Sequence, residues 1–210
     1  MSDLVITHWH HDHIGGVPDV TGISDSVVKI HKFSRAEDKG QINFDYTDLR
    51  DGDEISIDGA TTVKILHTPG HTTDHVALFL KEENALFSAD CILGEGTAVF
   101  ESLYHYMHSL DKILQCQPSV IYPGHGPVIL NPIEKIQFYI EHRLAREVQI
   151  YSCLEKAGNA GLKSMEIVQH VYKETPPNLH KAADVNVNHH LEKLEAEGKV
   201  LRDGSSWKIV

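Results

Sequence analysis

The chain has 210 residues, 41% of them hydrophobic and 23% charged, with a net charge of −11. This is an ordinary globular composition with enough chain for one medium and one small unit, and no apolar run approaches the ~18 residues of a membrane span, so no membrane partner is expected. The acidic excess lies wholly in residues 1–149, with 11 Lys and Arg against 22 Asp and Glu, while residues 150–210 balance at 8 against 8; this argues against a strong nonspecific phosphate-binding surface on the first part.

The first predicted element is a strand at residues 4–6, and it runs directly into "THWHHDHIGG" at residues 7–16. Further strands are expected at 63–66, 76–80, 85–87 and 120–122, each a short apolar run with a histidine or aspartate cluster at or just past its end. Asp-Gly pairs at 51–52 and 58–59 bracket Ile55 and Ile57 and predict a hairpin with the strand through Val63 and Ile65. Residues 131–157 carry Ile136, Ile140, Leu144, Val148 and Tyr151 at helical spacing, with Pro132 suited to the first turn and Gly158 to the end. A domain boundary is expected on this helix, giving units 1–145 and 146–210.

Ser164 reads as a helix N-cap, followed by Met165, Val168 and Val171 or Tyr172 on one face, and then by the break "TPPN". Ala183, Val187, Leu191 and Leu194 form the stripe of a longer helix that Gly198 ends, and Asp203-Gly204 centres a terminal hairpin. Helices followed by a hairpin make a winged-helix-like α+β unit. Cys91, Cys116 and Cys153 are few, odd in number and far apart, which predicts free thiols and a reducing compartment.

The spacing H-x-H-x-D-H of His8, His10, Asp12 and His13 reads as two half-sites for divalent metal. In an extended segment His8 and His10 point the same way, while Asp12 and His13 point to a second position. Further candidates stand at later strand ends: His71 in "HTPGHT", Asp90 in "LFSAD" and His125 in "YPGHG". Asp90 can bridge, so the expected sets are His8, His10, His71 and Asp90 for one ion, and Asp12, His13, Asp90 and His125 for the other. Nitrogen and carboxylate donors suit zinc, and two zinc ions per chain are expected. His11 falls at a spacer position and is read as a bystander. His31, His67, His105, His108, His142, His170, His180, His189 and His190 are read as packing or surface residues. His75, just past the His71 loop, is a candidate catalytic residue beside the substrate.

The motifs "THWHHDHIGG", "HTPGHTTDH", "FSADCILGEG" and "YPGHGP", in this order, resemble those of the metallo-β-lactamase superfamily, and with the winged-helix-like tail the whole chain resembles the β-lactamase-like protein 2 family. The resemblance implies an α/β fold, an αβ/βα sandwich with the metals at one edge between two sheets. It also implies endoribonuclease activity on single-stranded RNA in the mitochondrial matrix, with the cytosol as the alternative. Superfamily members carry further strands before the first histidine motif. The sandwich is therefore expected to be N-terminally incomplete, with residues 4–6 left as an exposed strand edge, and an inactive truncated form is one of the expected alternatives.

In such a site the two ions activate a water for in-line attack on a phosphodiester, Asp90 fixes the ion pair, and Asp12 positions the attacking hydroxide. His75, Tyr104 and Tyr106 are the candidates for protonating the leaving oxygen. The chief alternative is a glyoxalase II-like thioesterase, which shares the metal motifs, and a noncatalytic binding module stands behind it. Lys163, Lys173, Lys181, Lys193 and Arg202 are candidate phosphate contacts in the tail, which is also a candidate homodimer contact.

Overall fold

In the computed structural model, which describes residues 2–210, the first strand β1 (Asp3–Ile6) is followed by two short helices, α1 (His11–Ile14) and α2 (Val17–Gly22). Strands β2 (Lys29–Lys32) and β3 (Thr47–Asp48) complete a three-stranded sheet of order β1-β2-β3, parallel throughout. A second sheet has the order β4-β5-β6-β7-β8, from β4 (Glu54–Ser56), β5 (Thr62–His67), β6 (Val76–Leu80), β7 (Ala85–Ala89) and β8 (Val120–Pro123). It is antiparallel except at β7 and β8, whose parallel pairing is made possible by the crossover helix α3 (Leu103–Gln115).

Side-chain alternation along β1 explains the layering. Leu4 and Ile6 pack with Val17, Ile30, Phe44 and Tyr46 on the side of the short helices. Val5 points the opposite way and joins Ile65, Val76, Ile55, Val63 and Leu78, so the second core lies between the two sheets. Ile65 and Val76 are fully buried there, each contributing about 2 kcal/mol of apolar burial. The far side carries α3, tied down by hydrogen bonds from Ser109 to the Pro69 carbonyl, from Lys112 to the His67 carbonyl and from Tyr106 to the Cys91 carbonyl. These layers are the expected α/β sandwich.

As expected, residues 4–6 form an edge strand of their sheet, paired on one side only, by β2 from Asp3↔Lys29 to Ile6↔Lys32. Strand β2 escapes a reading by apolar alternation because its Lys32 points inward. The ammonium is fully buried, 2.6 Å from Asp38 Oδ2 and 2.8 Å from Asp74 Oδ2.

The chain divides into two compact units, one running through Glu101 with His105–Gln137, the other Ser102–Tyr104 with Phe138–Val210. The division falls inside α4 (Pro132–Ala157), earlier than the expected residue 145. The helix from Phe138 onward belongs to the C-terminal unit, where Ile150 and Leu154 join its core.

That unit comprises the C-terminal part of α4, α5 (Ser164–Val171), α6 (His180–Ala196) and the antiparallel hairpin of β9 (Val200–Asp203) and β10 (Ser206–Ile209). Ala183, Val187, Leu191 and Leu194 form the predicted stripe, packed with Ile167, Val168 and Trp207. In α5 it is Ile167 and Val168 that enter the core, while Met165 stays exposed. Ser164 is the first helical residue and not the cap; Lys163 precedes it, its N–H donating to Glu166 Oε2 at 2.7 Å. Among the described residues no helix is long and apolar enough to cross a membrane.

Candidate metal centre

β1 ends at Ile6, so His8 and His10 lie beyond it and are brought together by a turn, not by strand alternation. The Val76 N–H donates to the Thr7 carbonyl at 2.9 Å, holding the turn against β6. His10 then caps α1, whose single turn displaces Asp12 and His13 from the first pair.

Two donor clusters result. His8, His10, His71 and Asp90 converge at one position, and Asp12, His13 and His125 at a second, the ligand atoms of each cluster lying within 4.8 Å of one another. In the first, His10 Nδ1 lies 3.2 Å from His8 Nε2 and 3.0 Å from His71 Nε2. In the second, His13 Nε2 and His125 Nε2 are 3.4 Å apart, and Asp12 Oδ2 is 3.1 Å from His125 Nε2. Asp90 faces both, with Oδ2 at 3.7 Å from His71 Nε2 and 3.4 Å from His125 Nε2, and Oδ1 at 3.3 Å from His13 Nε2. The first position is deep, since His8 and His71 are buried. The second opens to solvent, with the Asp12 side chain 58% and that of His125 50% exposed.

The donor set fits two divalent cations. Four nitrogen ligands placed tetrahedrally at ~2.0–2.1 Å stand about 3.3 Å apart, close to the observed spacings. Burial, reinforced by the neighbouring histidines, holds His8 far below the ordinary imidazole range, and burial also lowers His71; both are thus in the neutral, lone-pair form a metal takes. His13 is raised by its carboxylate neighbour Asp90. For Asp90 itself, burial works toward a higher value, but the bond to His13 and the surrounding imidazoles keep the carboxyl below its ordinary value.

A surrounding layer aims these ligands. His71 Nδ1–H donates to the Val99 carbonyl at 2.8 Å, which leaves Nε2 as the ligand atom, and His8 Nδ1 meets Thr7 Oγ1 at 3.1 Å. The pairing of β7 with β8 is irregular between Phe87 and Ala89, and Ala89 has φ 43°; this kink turns Asp90 out of the strand. Gly124 lies against it: a Cβ there would overlap Asp90 Oδ1 and approach His13 Cε1 to 3.1 Å. The Val99 carbonyl, Thr68, Ala89 and Gly124 were not singled out by sequence. Of these, only the glycine of "YPGHG" carries a visible signal.

Three candidate roles are corrected. His75 is fully buried, its Nε2 accepting the Asp90 N–H at 3.2 Å and its Nδ1 facing Thr68 Oγ1 at 2.8 Å. It supports Asp90 from behind and presents no nitrogen to a leaving group. Tyr106 is likewise buried, its hydroxyl committed to the Cys91 carbonyl at 2.6 Å. Lys193 is buried between Glu147 Oε2 at 2.7 Å and Glu197 Oε1 at 2.6 Å, which removes it from the candidate phosphate contacts. His11 is exposed, as expected of a bystander.

A family model described as "Metallo-beta-lactamase superfamily" matches residues 2–125, and one described as "Beta-lactamase associated winged helix domain" matches residues 164–207. A Drosophila melanogaster protein named "Beta-lactamase-like protein 2 homolog" is 50% identical over 204 residues, covering 94% of this chain and 69% of its own length. An Aspergillus chevalieri protein named "Atrochrysone carboxyl ACP thioesterase" is 38% identical over 184 residues, covering 85% of this chain and 58% of its own. The crystal structure of a beta-lactamase domain protein from Burkholderia ambifaria superposes with a TM-score of 0.81 at 19% identity, covering 100% of this chain and 74% of that one. The chain thus spans about two thirds of the length of the Drosophila melanogaster and Caenorhabditis elegans relatives and less of the Aspergillus chevalieri one.

Proposed function

Since this chain belongs to the metallo-beta-lactamase superfamily of hydrolases, we propose that the protein of which it forms at least this part is an endoribonuclease that cleaves single-stranded RNA with two zinc ions. The observation that carries the reading is the sharing of Asp90 between two donor clusters, one deep and one open. Two cations held this way, when bound, lower the pKa of water and stabilise charge developing on a phosphodiester.

The chain's own residues divide the remaining work. Asp90, facing both clusters, sets their separation. Asp12 Oδ2, on the open side and 3.1 Å from His125 Nε2, is placed to orient the attacking water and accept its proton. His8 and His71, being buried, exclude water from the deep position and confine the reacting group to the open one. An open second position suits a chain-like substrate that enters and leaves sideways, and a winged helix is a common nucleic-acid-binding unit.

Similarity to a protein named as an acyl carrier protein thioesterase supports a second reading, thioester hydrolysis at the same centre. A labelled single-stranded RNA and an acyl thioester offered to the same preparation, with zinc counted, decide between them. RNA cleavage that disappears in Asp90→Ala supports the nuclease. Thioester turnover without RNA cleavage, again lost in Asp90→Ala, replaces it with the second reading.

A further inference from the structure

The C-terminal unit contains a cavity of about 330 Å³ whose polar wall is formed by His142, Arg143, Arg146, Tyr172, Asn186 and His190. The volume is at the lower end of small-molecule sites, ~300–1,000 Å³. No carboxylate lines it, in a chain where 30 acidic residues outnumber 19 basic ones.

Arg146, Asn186 and His190 each bring hydrogen-bonding capacity to this wall. The Arg146 guanidinium lies over the Tyr172 ring at 4.0 Å, and its hydrogen bonds, to Gln149 Oε1 at 3.0 Å and the Val171 carbonyl at 3.4 Å, use Nη1 alone. Nε and Nη2 remain for a ligand. The Tyr172 hydroxyl donates to Asn186 Oδ1 at 2.9 Å, which fixes the amide so that its NH2 is the free end. His190 is fully buried, yet neither ring nitrogen has a hydrogen-bond partner among the described residues. Its nearest carboxylate, Glu147 Oε2, is 3.9 Å from Nδ1 and is already held by Lys193 at 2.7 Å. Arg143 is only 6% exposed beside it.

A buried imidazole without a partner is costly, and a pocket that sets it beside the Arg146 guanidinium and the Asn186 amide is matched by an anion with several acceptor oxygens. We propose that this pocket binds a phosphate group and, resting on the RNA reading above, that the phosphate belongs to single-stranded RNA retained by the C-terminal unit during cleavage. Arg146, braced by Tyr172, supplies two N–H groups to the phosphate, and its outer face offers a plane on which a base can stack. None of the tail lysines suggested by sequence lines this pocket.

The test uses the full chain carrying Asp90→Ala, so that RNA stays intact, and compares it with added Arg146→Glu or Asn186→Asp. Both positions are half-buried, and a thermal melt verifies folding of each variant. Anisotropy of a labelled single-stranded RNA should show at least ~10-fold weaker binding in either variant and a salt dependence shallower by about one phosphate contact. Inorganic phosphate should compete with RNA in the parent and lose that effect in the variants. Unchanged RNA and phosphate binding in both folded variants overturns the pocket, and leaves the nuclease reading intact if the chain with Asp90 restored still cuts RNA. Phosphate binding that the variants abolish, in a chain that neither binds nor cuts RNA, supports the phosphate site and overturns its assignment to RNA. A phosphopantetheine thioester would then be the competitor that identifies the source.

Discussion

The backbone N–H of Asp90 donates to Nε2 of His75 across 3.2 Å, which places the ring's own proton on Nδ1, facing Thr68 Oγ1 at 2.8 Å. The last residue of β7, Ala89, which directly precedes Asp90, has a left-handed φ of 43°, a conformation costing on the order of 1–3 kcal/mol outside glycine. His75 thus holds the strained turn that points Asp90 at both clusters. Replacing it by Ala should weaken metal binding by roughly 10–100-fold, with partial recovery in His75→Gln, whose amide oxygen can accept the same bond. Titration against a competing chelator measures this, and parent-like affinity in the alanine variant would refute the role.

Gly124→Ala tests the same carboxylate from the front. Gly124 is not among the positive-φ glycines, so alanine meets no left-handed backbone strain, and its methyl acts chiefly by overlapping Asp90 Oδ1, with closer-than-usual contacts of 3.1 Å to the Ala89 carbonyl carbon and to His13 Cε1. We expect the variant to fold with the metal-free parent's melting temperature but to retain less than half of the parent's bound zinc. Elemental analysis beside a thermal melt reads both quantities.

Removing the metal should lower the stability of the N-terminal unit. A ligand present at 1,000 times its dissociation constant stabilises by about 4 kcal/mol, equivalent to a melting shift of roughly 10 °C for a protein of this size. Calorimetry with and without chelator should show that shift in the parent and a much smaller one in Asp90→Ala. Equal shifts in the two would mean that the chelator acts elsewhere.

The buried Lys32, Asp38 and Asp74 group predicts a specific acid sensitivity. Burial tends to raise the Asp38 carboxyl, but bonds from Lys32, the Arg35 N–H and Tyr46 outweigh it and hold the group below its ordinary value of 3.8. Because the folded-state value is the lower one, its stabilising contribution is complete above about pH 5 and is lost as pH falls below about 4. Asp38→Asn should cost roughly 3 kcal/mol at neutral pH and flatten the loss of stability below pH 4. Urea unfolding of parent and variant at pH 7 and pH 3.5 measures the difference.

Much of the metal centre was legible because its ligands sit in short motifs at or just past strand ends, although a turn and not strand spacing brings His8 and His10 together and only the assembled fold adds His71, Asp90 and His125. The supporting residues were not. Whether His75 faces substrate or the Asp90 amide depends on a kink at Ala89 that no local pattern announces. Lys32 hid β2, since a charged residue at an inward position breaks the alternation, and its partners Asp38 and Asp74 become evident only in three dimensions. Helix α3 is not among the predicted elements, although Leu103, Tyr106, Leu110 and Ile113 stand at helical spacing and are buried. The cationic pocket joins Arg143 and Arg146 of one helix to Asn186 and His190 of another, a juxtaposition that only tertiary packing creates.

The clusters also bear on the order of folding. His10 and His71 are 61 residues apart in the chain, and His13 and His125 are 112 apart. Neither cation position exists until the segment after β1 has met the far ends of the five-stranded sheet. Closing such spans carries an entropic cost that slows assembly, so metal uptake should be among the last events, and its rate should report completion of the sandwich.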